Sequence, residues 1–488
     1  MNLAQRLIKA KVVTPEELAP AIYRQKQHRG FLGDHLLELE LVDPGVLARF
    51  VHPYPRLPES FEELGIPRNF IAQLVLKHAF FHESVSLREL ARDLKMSKPL
   101  VEEVVDQLRA QKYFYVKPRD FNGNRNTLAM EMYYGLSETG KLYAEQCLEA
   151  NRYVGPAPVP LEDYWDWVER QSIHQVQVNQ ARLEEVFSAY VVPPYLVHKV
   201  GPAINSGRAI FLFGPSGNGK TAMANCIGHA FEDTVYIPYS LYIYGQIIRL
   251  YDEVNHQAVP ANDDFTAHDP RWVLCRRPVV IAGGEMTEDA IDLKFNPVHK
   301  FYEAPHQLRA NNGVFVIDDF GRQRLTPREL LNRWMYPLEN RQDFLCLHTG
   351  QQFSVPFDQL IIFSTNLNPF SLADEAFLRR IRHKIYIGYV SPEQYLEIFR
   401  RVCDQHDIHF DPEVVRDAIG KYYLALNRPL CACHPLDLIQ NLLDRCRFLG
   451  VRPVLTHQEL DWACQSYFVK PLGIDDYDAI SEDPPTLV

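Results

Sequence analysis

Long apolar runs are missing from this 488-residue chain, and none approaches the ~20 residues a helix needs to cross a bilayer. No membrane span is therefore expected. The opening MNLAQRLIKAKVV is amphipathic and lacks the unbroken apolar core of a signal peptide, which makes the cytoplasm the expected compartment. Cysteine is scarce: nine residues, an odd number without staple-like spacing, exclude a disulfide-held scaffold and predict reduced thiols. Positive charge is in deficit, with 51 Lys and Arg against 62 Asp and Glu and a formal net charge of -11. That balance excludes a protein that coats nucleic acid regardless of sequence, while leaving room for a local basic face. Low-complexity tracts are absent. The 46% hydrophobic, 23% charged composition is that of a folded chain with length for three or four domains.

Four blocks and two linkers organise what is present. Residues 1–52 read as short helices, with Thr14 as N-cap and Glu17 closing a capping box. The proline-rich HPYPRLPES leads into a second block, residues 60–150. There Ser86 caps one amphipathic helix and a second begins near Lys98. YFYVKP and MEMYYGLS then pair as strands around FNGNRN, and the whole reads as a winged helix. Residues 151–180, opened by VGPAPVPLEDY, read as a linker. Residues 181–390 alternate β-type runs (AIFLFG, TVYIPYS, RPVVIAG, GVFVIDD, LIIFSTN) with helical segments, the pattern of a parallel sheet covered by helices. Residues 391–470 are helical throughout, and the acidic, proline-ending segment 471–488 reads as disordered.

The motif with the clearest chemistry is Gly214-Pro215-Ser216-Gly217-Asn218-Gly219-Lys220-Thr221, which fits G-x-x-x-x-G-K-[ST] in full. Its glycines let backbone N–H groups curl around phosphate oxygens, and the helix that follows adds positive potential at its N-terminus. Lys220 is expected to reach the β- and γ-phosphates of ATP, and the Thr221 hydroxyl to ligate Mg²⁺. In GVFVIDDFG a buried strand ends in Asp318, a second magnesium ligand, and Asp319, which would orient or deprotonate the attacking water. Aspartate is shorter than glutamate by one carbon–carbon bond, ~1.5 Å, which predicts slow hydrolysis or a need for closure. LIIFSTN ends in Asn366, placed to hold the water from the other side. DEAFLRRIRHKI then gathers Arg379, Arg380, Arg382 and Lys384 on what reads as a helix, either a solvated face or a source of charge for a neighbouring subunit.

In this order the elements resemble AAA+ ATPases over about residues 180–470: an α/β P-loop core with a parallel sheet, followed by an α-helical lid. The resemblance implies ATP hydrolysis in a homo-oligomeric, hexameric ring that remodels a protein partner. It also assigns Arg379 and Arg380, ahead of Arg382, to a neighbour's γ-phosphate. Two segments are similar to the pre-sensor-1 hairpin and helix-2-insert groups, which include MoxR-type chaperones and enhancer-binding proteins. DFLCLHTGQQFSVPFDQ reads as a hairpin turning at Thr349-Gly350, and GGEMTEDAIDLKFNP reads as an insert. By that likeness both would face the ring pore; as plain sequence both are also ordinary surface loops. The lid arginine of the family has no counterpart, because Leu436 stands where it belongs; Arg428 and Arg445 are the substitutes within reach in sequence.

Residues 1–52 resemble the N-terminal domain of type II secretion and type IV pilus ATPases, through Leu7, Val12, Val13, Leu18, Ile22 and Gln25 and again through Leu32, Gly33, Leu36, Leu41, Val42 and Leu47. The likeness implies secretion or pilus machinery. Some relatives bind cyclic di-GMP, but Asn2 and Phe31 replace the opening arginines, with Arg29 nearby. Without a planar cation at those positions, a docking domain without ligand is the favoured reading. The second helix of the winged helix carries Glu102, Glu103 and Asp106 against Lys95, Lys98, Arg109, Lys112 and Lys117. Protein docking is favoured, and DNA binding by an ATP-switched transcriptional regulator stays open. A nearly inactive nucleotide-binding scaffold is a third reading. Cys431, Cys433 and His434 lack a second ligand pair at zinc spacing and read as packed lid side chains.

Overall fold

The computed structural model describes residues 3–28, 31–47, 53–117, 132–260, 268–372 and 375–468. Asn2, Arg29, the expected turn at 121–126 and the tail 471–488 lie outside them. A five-stranded, all-parallel sheet forms the centre: β1 (Ile210–Phe213), β2 (Val279–Ala282), β3 (Val314–Ile317), β4 (Leu360–Thr365) and β5 (His383–Tyr386), in the spatial order β2-β3-β4-β1-β5. The two-residue alternation of these strands builds two cores. Ile210, Leu212, Val314, Val316 and Ile362 face one helical layer, while Phe211, Phe315, Ile317, Ile361 and Phe363 face the other. Helix α1 (Lys220–Gly228) belongs to the first layer. Helix α2 (Pro327–Asn340), opened by a Thr326/Glu329 capping box, belongs to the second.

Two expectations about this sheet are corrected. TVYIPYS is not part of it: Thr234–Pro238 pairs antiparallel with Trp272–Arg276 in a separate two-stranded ribbon. A short apolar run shows that a strand exists without naming its partner. The fifth strand comes instead from RIRHKI. Only Glu375–Arg380 of that stretch is helix (α3), and His383 and Lys384 lie on edge strand β5. Edge strands are short and half polar, so the basic residues masked this one.

A second five-stranded sheet, in the order Lys294–Asn296, Phe301–Glu303, Gln246–Arg249, Ser240–Ile243, Val159–Pro160, stands beside the core. Its central hairpin turns through Tyr244 and Gly245 at φ 49° and 81°, the left-handed pair of a two-residue turn. Residues 151–180, expected as a linker, are folded into it. Helix Leu161–Arg170 buries Tyr164 and Val168, one turn apart, and Asn311 Nδ2 donates to the Tyr164 hydroxyl at 2.9 Å. The prolines at the start of that segment hid this helix.

GGEMTEDAIDLKFNP is likewise no free loop: Met286 and Ile291 lie in the core and Lys294–Asn296 is a strand. The second expected insert does form a hairpin, Gln342–Cys346 with Gln352–Pro356, and its tip from His348 to Gly350 is exposed. Its base is fixed by Arg333, which binds the fully buried Asp343 at 2.5 Å.

In the second block, helices Arg68–Phe80, Leu87–Leu94 and Lys98–Ala110 pack on a three-stranded antiparallel sheet of order Val85–Ser86, Tyr133–Leu136, Phe114–Lys117. The Ser86/Glu89 capping box is formed. This unit shares its core with Ile247 and Phe301 of the second sheet. Among the N-terminal motif residues, Leu7, Val13, Leu18, Leu32, Leu36, Val42 and Leu47 are buried in one small core, and Phe31 lies 4.7 Å beneath the Arg170 guanidinium.

Candidate functional site

The phosphate-loop motif sits where strand β1 ends and helix α1 begins. Gly214, Gly217 and Gly219 take φ of 145°, 75° and 82°, values that a side chain would strain. At Gly214 a Cβ would also lie 2.0 Å from the Ile387 carbonyl oxygen, so only glycine lets the loop pass the chain leaving β5. Lys220 folds back and donates to the carbonyls of Gly214 at 3.0 Å and Pro215 at 2.8 Å. Burial pulls its ammonium below the ordinary lysine range, and the carboxylates of Asp318 and Asp319 oppose that shift.

Strand β3 is buried along its whole length and delivers Asp318 and Asp319 beside the loop. The Thr221 hydroxyl donates to Asp318 Oδ2 at 2.8 Å, across 97 residues of sequence. Gln323 Nε2 donates to the Asp318 carbonyl at 2.7 Å and secures the turn. Asn366, at the end of β4, brings Nδ2 to 3.4 Å from Asp319 Oδ1. Thr365 Oγ1 donates to the Phe320 carbonyl at 2.6 Å and ties these two strand ends together.

These groups open on one cavity of about 970 Å³, in the upper size range of small-molecule sites. Ser216 to Thr221, Asp318, Asp319 and Asn366 are among its lining residues. Val191, Val192, Tyr195, Ile387, Tyr389 and Ile398 add apolar surface, with Gln394 and Arg401 among them. A lining part charged and part apolar suits a ligand that has both a polyanionic and an apolar portion. The YVVPPYL segment, which supplies part of that lining, was not singled out in the sequence; its signal is an apolar run shortly before strand β1.

Residues 391–468 pack as a helical bundle over the cavity, led by α4 (Pro392–Gln405) and α5 (His434–Leu449). The bundle touches the phosphate loop directly. Cys433 N donates to the Gly217 carbonyl at 2.9 Å, and Ala432 N donates to Asn218 Oδ1 at 3.1 Å. Leu436 lines the cavity, whereas Arg428 and Arg445 do not: Arg428 lies 3.8 Å over the Phe468 ring and Arg445 lies 4.7 Å over Trp462. Neither replaces the missing lid arginine. Arg401 does reach the cavity, donating to the Ser188 carbonyl at 2.7 Å, and the sequence reading missed it. Cys433 packs against Gly217, and among the described residues no group of three or more His, Cys, Asp or Glu is placed to hold a metal.

Arg379 and Arg380 are not brought to this cavity. They lie with Arg382 near Ala209 and Gln359, at the opposite, amino ends of β1 and β4. Arg379 pairs with Glu375 at 2.7 Å and Arg380 with Glu339 at 2.5 Å.

Residues 391–466 match a family model described as a domain of unknown function (DUF8689). No curated protein matches the chain. Among solved structures, the chain is similar to NtrX from Brucella abortus at a TM-score of 0.35 and 15% identity, covering 71% of this chain and 65% of NtrX. It is also similar to domain III of the Thermotoga maritima replication initiation protein DnaA, at a TM-score of 0.34 and 14% identity, covering 59% of this chain and 98% of that one. Among the described residues no helix is long and apolar enough to cross a membrane.

Proposed function

We propose that this chain is an ATPase of the AAA+ kind that works as a homo-oligomeric, hexameric ring and remodels a protein partner. The observation that carries the reading is the meeting of Thr221 with Asp318, and of Asp319 with Asn366, on the wall of one cavity beside the phosphate loop. The loop from Gly214 to Gly219 surrounds the phosphates with N–H groups, and Lys220 exchanges its two loop carbonyls for phosphate oxygens. Thr221 and Asp318 present adjacent hard oxygens, the donor set magnesium takes beside water and phosphate. Magnesium bound there would neutralise charge on the β- and γ-phosphates. Asp319 accepts the proton of the attacking water, and Asn366 holds that water in line.

Arg379 and Arg380, remote from their own chain's cavity, act on the next subunit's γ-phosphate, a contribution of about 10³–10⁵ in rate where such arginines operate. The lid contacts made by Ala432 and Cys433 carry loop movement into the bundle in place of a lid arginine. The exposed hairpin tip is the part that meets the substrate, and the N-terminal modules dock the partner. DNA binding by the second block is disfavoured because Glu102, Glu103 and Asp106 share helix Lys98–Ala110, where they oppose phosphate charge.

The test is magnesium-dependent ATP hydrolysis by the purified full chain, with sedimentation in the presence of a non-hydrolysable analogue. Hydrolysis that disappears in Lys220→Ala and an analogue-stabilised oligomer support the reading. Turnover indifferent to Lys220→Ala, or a molecule that stays solitary with the analogue, removes it.

A further inference from the structure

A cavity of about 480 Å³ opens on the surface between helix Leu161–Arg170, the turn of Tyr244 and Gly245, and the hairpin of Gln342–Cys346 with Gln352–Pro356. Each of these three segments brings an aromatic ring to it. Trp165 comes from the helix, Tyr244 from the turn and Phe344 from the hairpin, with the buried Phe353 beside them. Glu162, one helical turn before Trp165, adds a carboxylate. No Lys, Arg or His stands among the described lining residues. Glu162 is exposed and pairs with no cation among the described residues.

Two features set this cluster apart from scattered surface apolar residues. Tyr244 holds a left-handed position at φ 49°, where asparagine or glycine serves a two-residue turn and a bulky side chain is strained. Its ring is 61% exposed, so no burial offsets that strain. On the hairpin, Leu345 and Phe353 are buried, whereas Phe344 is 50% exposed. The rings are also held in place. Trp165 Nε1 donates to the Ser354 carbonyl at 3.2 Å, and Phe344 packs on Tyr336 with ring centroids 5.3 Å apart. Fixed, part-exposed rings beside an uncompensated carboxylate ask for a cation, which ring quadrupole and carboxylate attract together. A nucleic acid base would stack on the same rings, but its phosphates would meet Glu162 and a chain of net charge -11.

We propose that this cavity receives a basic side chain, lysine or arginine, presented by a partner protein. The cationic head lies among Trp165, Tyr244 and Phe344 with Glu162 as its counter-charge. Gln352, exposed beside them, offers an amide to the backbone that carries it. A side chain borne by a protein fits a rim this exposed, whereas a free small cation binds better when enclosed. The inference is independent of ATP hydrolysis at the phosphate loop, and no nucleotide enters its test.

A fluorescent peptide of four Arg-Gly repeats is titrated against the full chain in 0.15 M salt and followed by anisotropy. Binding is expected, weakened about 3- to 30-fold by Tyr244→Asn and in the same direction by Glu162→Gln, the range of a cation–ring contact. Asparagine suits the left-handed turn, so a melting temperature at or above that of the parent verifies the fold of Tyr244→Asn. A matching peptide of four Glu-Gly repeats is expected not to bind. Absence of binding by the basic peptide, affinity indifferent to either substitution, or equal binding of the acidic peptide overturns the proposal. Choline is titrated in parallel; if it alone binds with dependence on Tyr244, the occupant is a free quaternary ammonium and the partner-protein reading falls.

Discussion

At Asp319 the backbone takes φ of +49°, a conformation aspartate tolerates better than most residues. That turn directs the carboxylate back toward Asn366 instead of along the strand. Its placement separates hydrolysis from binding: Asp319→Asn is expected to keep ATP affinity while turnover falls about 10²–10⁴-fold, read by equilibrium binding beside steady-state kinetics. Lys220→Ala is expected to remove nucleotide binding, and hydrolysis with it, while leaving the melting temperature of the nucleotide-free protein near that of the parent. That these residues meet at one cavity was legible in the sequence, because the motif fixes backbone shape and charge together. Leu436 is the counter-example. Its identity announced a missing cation, but that Arg428 and Arg445 are held over Phe468 and Trp462 depended on packing far away in sequence.

The helical bundle of residues 391–468 and the glycine-rich loop meet as elements through Gly217. A Cβ there would lie 2.5 Å from Cys433 Sγ, and the residue's φ is +75°. Gly217→Ala is therefore expected to strain the loop by about 1–2 kcal/mol and lift the bundle from it. The measurable outcomes are a lower melting temperature and weaker nucleotide binding, with Cys433→Ala partly restoring both; no restoration would show that the lid contact does not matter. Helices and hairpins with local signals, such as the Thr14/Glu17 capping box and the Thr349-Gly350 turn, were legible. Helix Leu161–Arg170 and strand β5 were not. One was hidden behind prolines, the other inside a basic run, and each exists because a neighbouring element covers it.

Over the whole molecule, buried imidazoles set the acid limit. Burial lowers the proton affinity of His78, His174 and His256 below the ordinary histidine value. His256 accepts from Asp252 N at 2.9 Å and hydrogen-bonds the Arg309 carbonyl at 2.9 Å, so a second proton would break the first contact. In the unfolded chain these groups protonate near pH 6.5, while in the folded chain they stay neutral to lower pH. Unfolding thus takes up protons, and stability falls as pH drops below about 6.5. The urea midpoint is expected to decline between pH 7 and pH 5, less steeply in His256→Gln; a flat profile would contradict this. For the assembly, Arg379→Ala,Arg380→Ala chains mixed with Asp319→Asn chains are expected to regain turnover that neither preparation has alone. A mixture no more active than its parts would argue against action between subunits.

The sequence by itself determined the glycine-rich loop, the acidic strand end and the alternation of strands and helices. Those signals are local, written in glycine freedom, charge and two-residue periodicity. Only the tertiary structure decided the strand order, the place of Thr234–Pro238 outside the central sheet, and the lining of one cavity by Arg208, Arg341 and Arg382. Those depend on which surfaces bury one another, and a side chain's eventual neighbour is not encoded within its own stretch of chain.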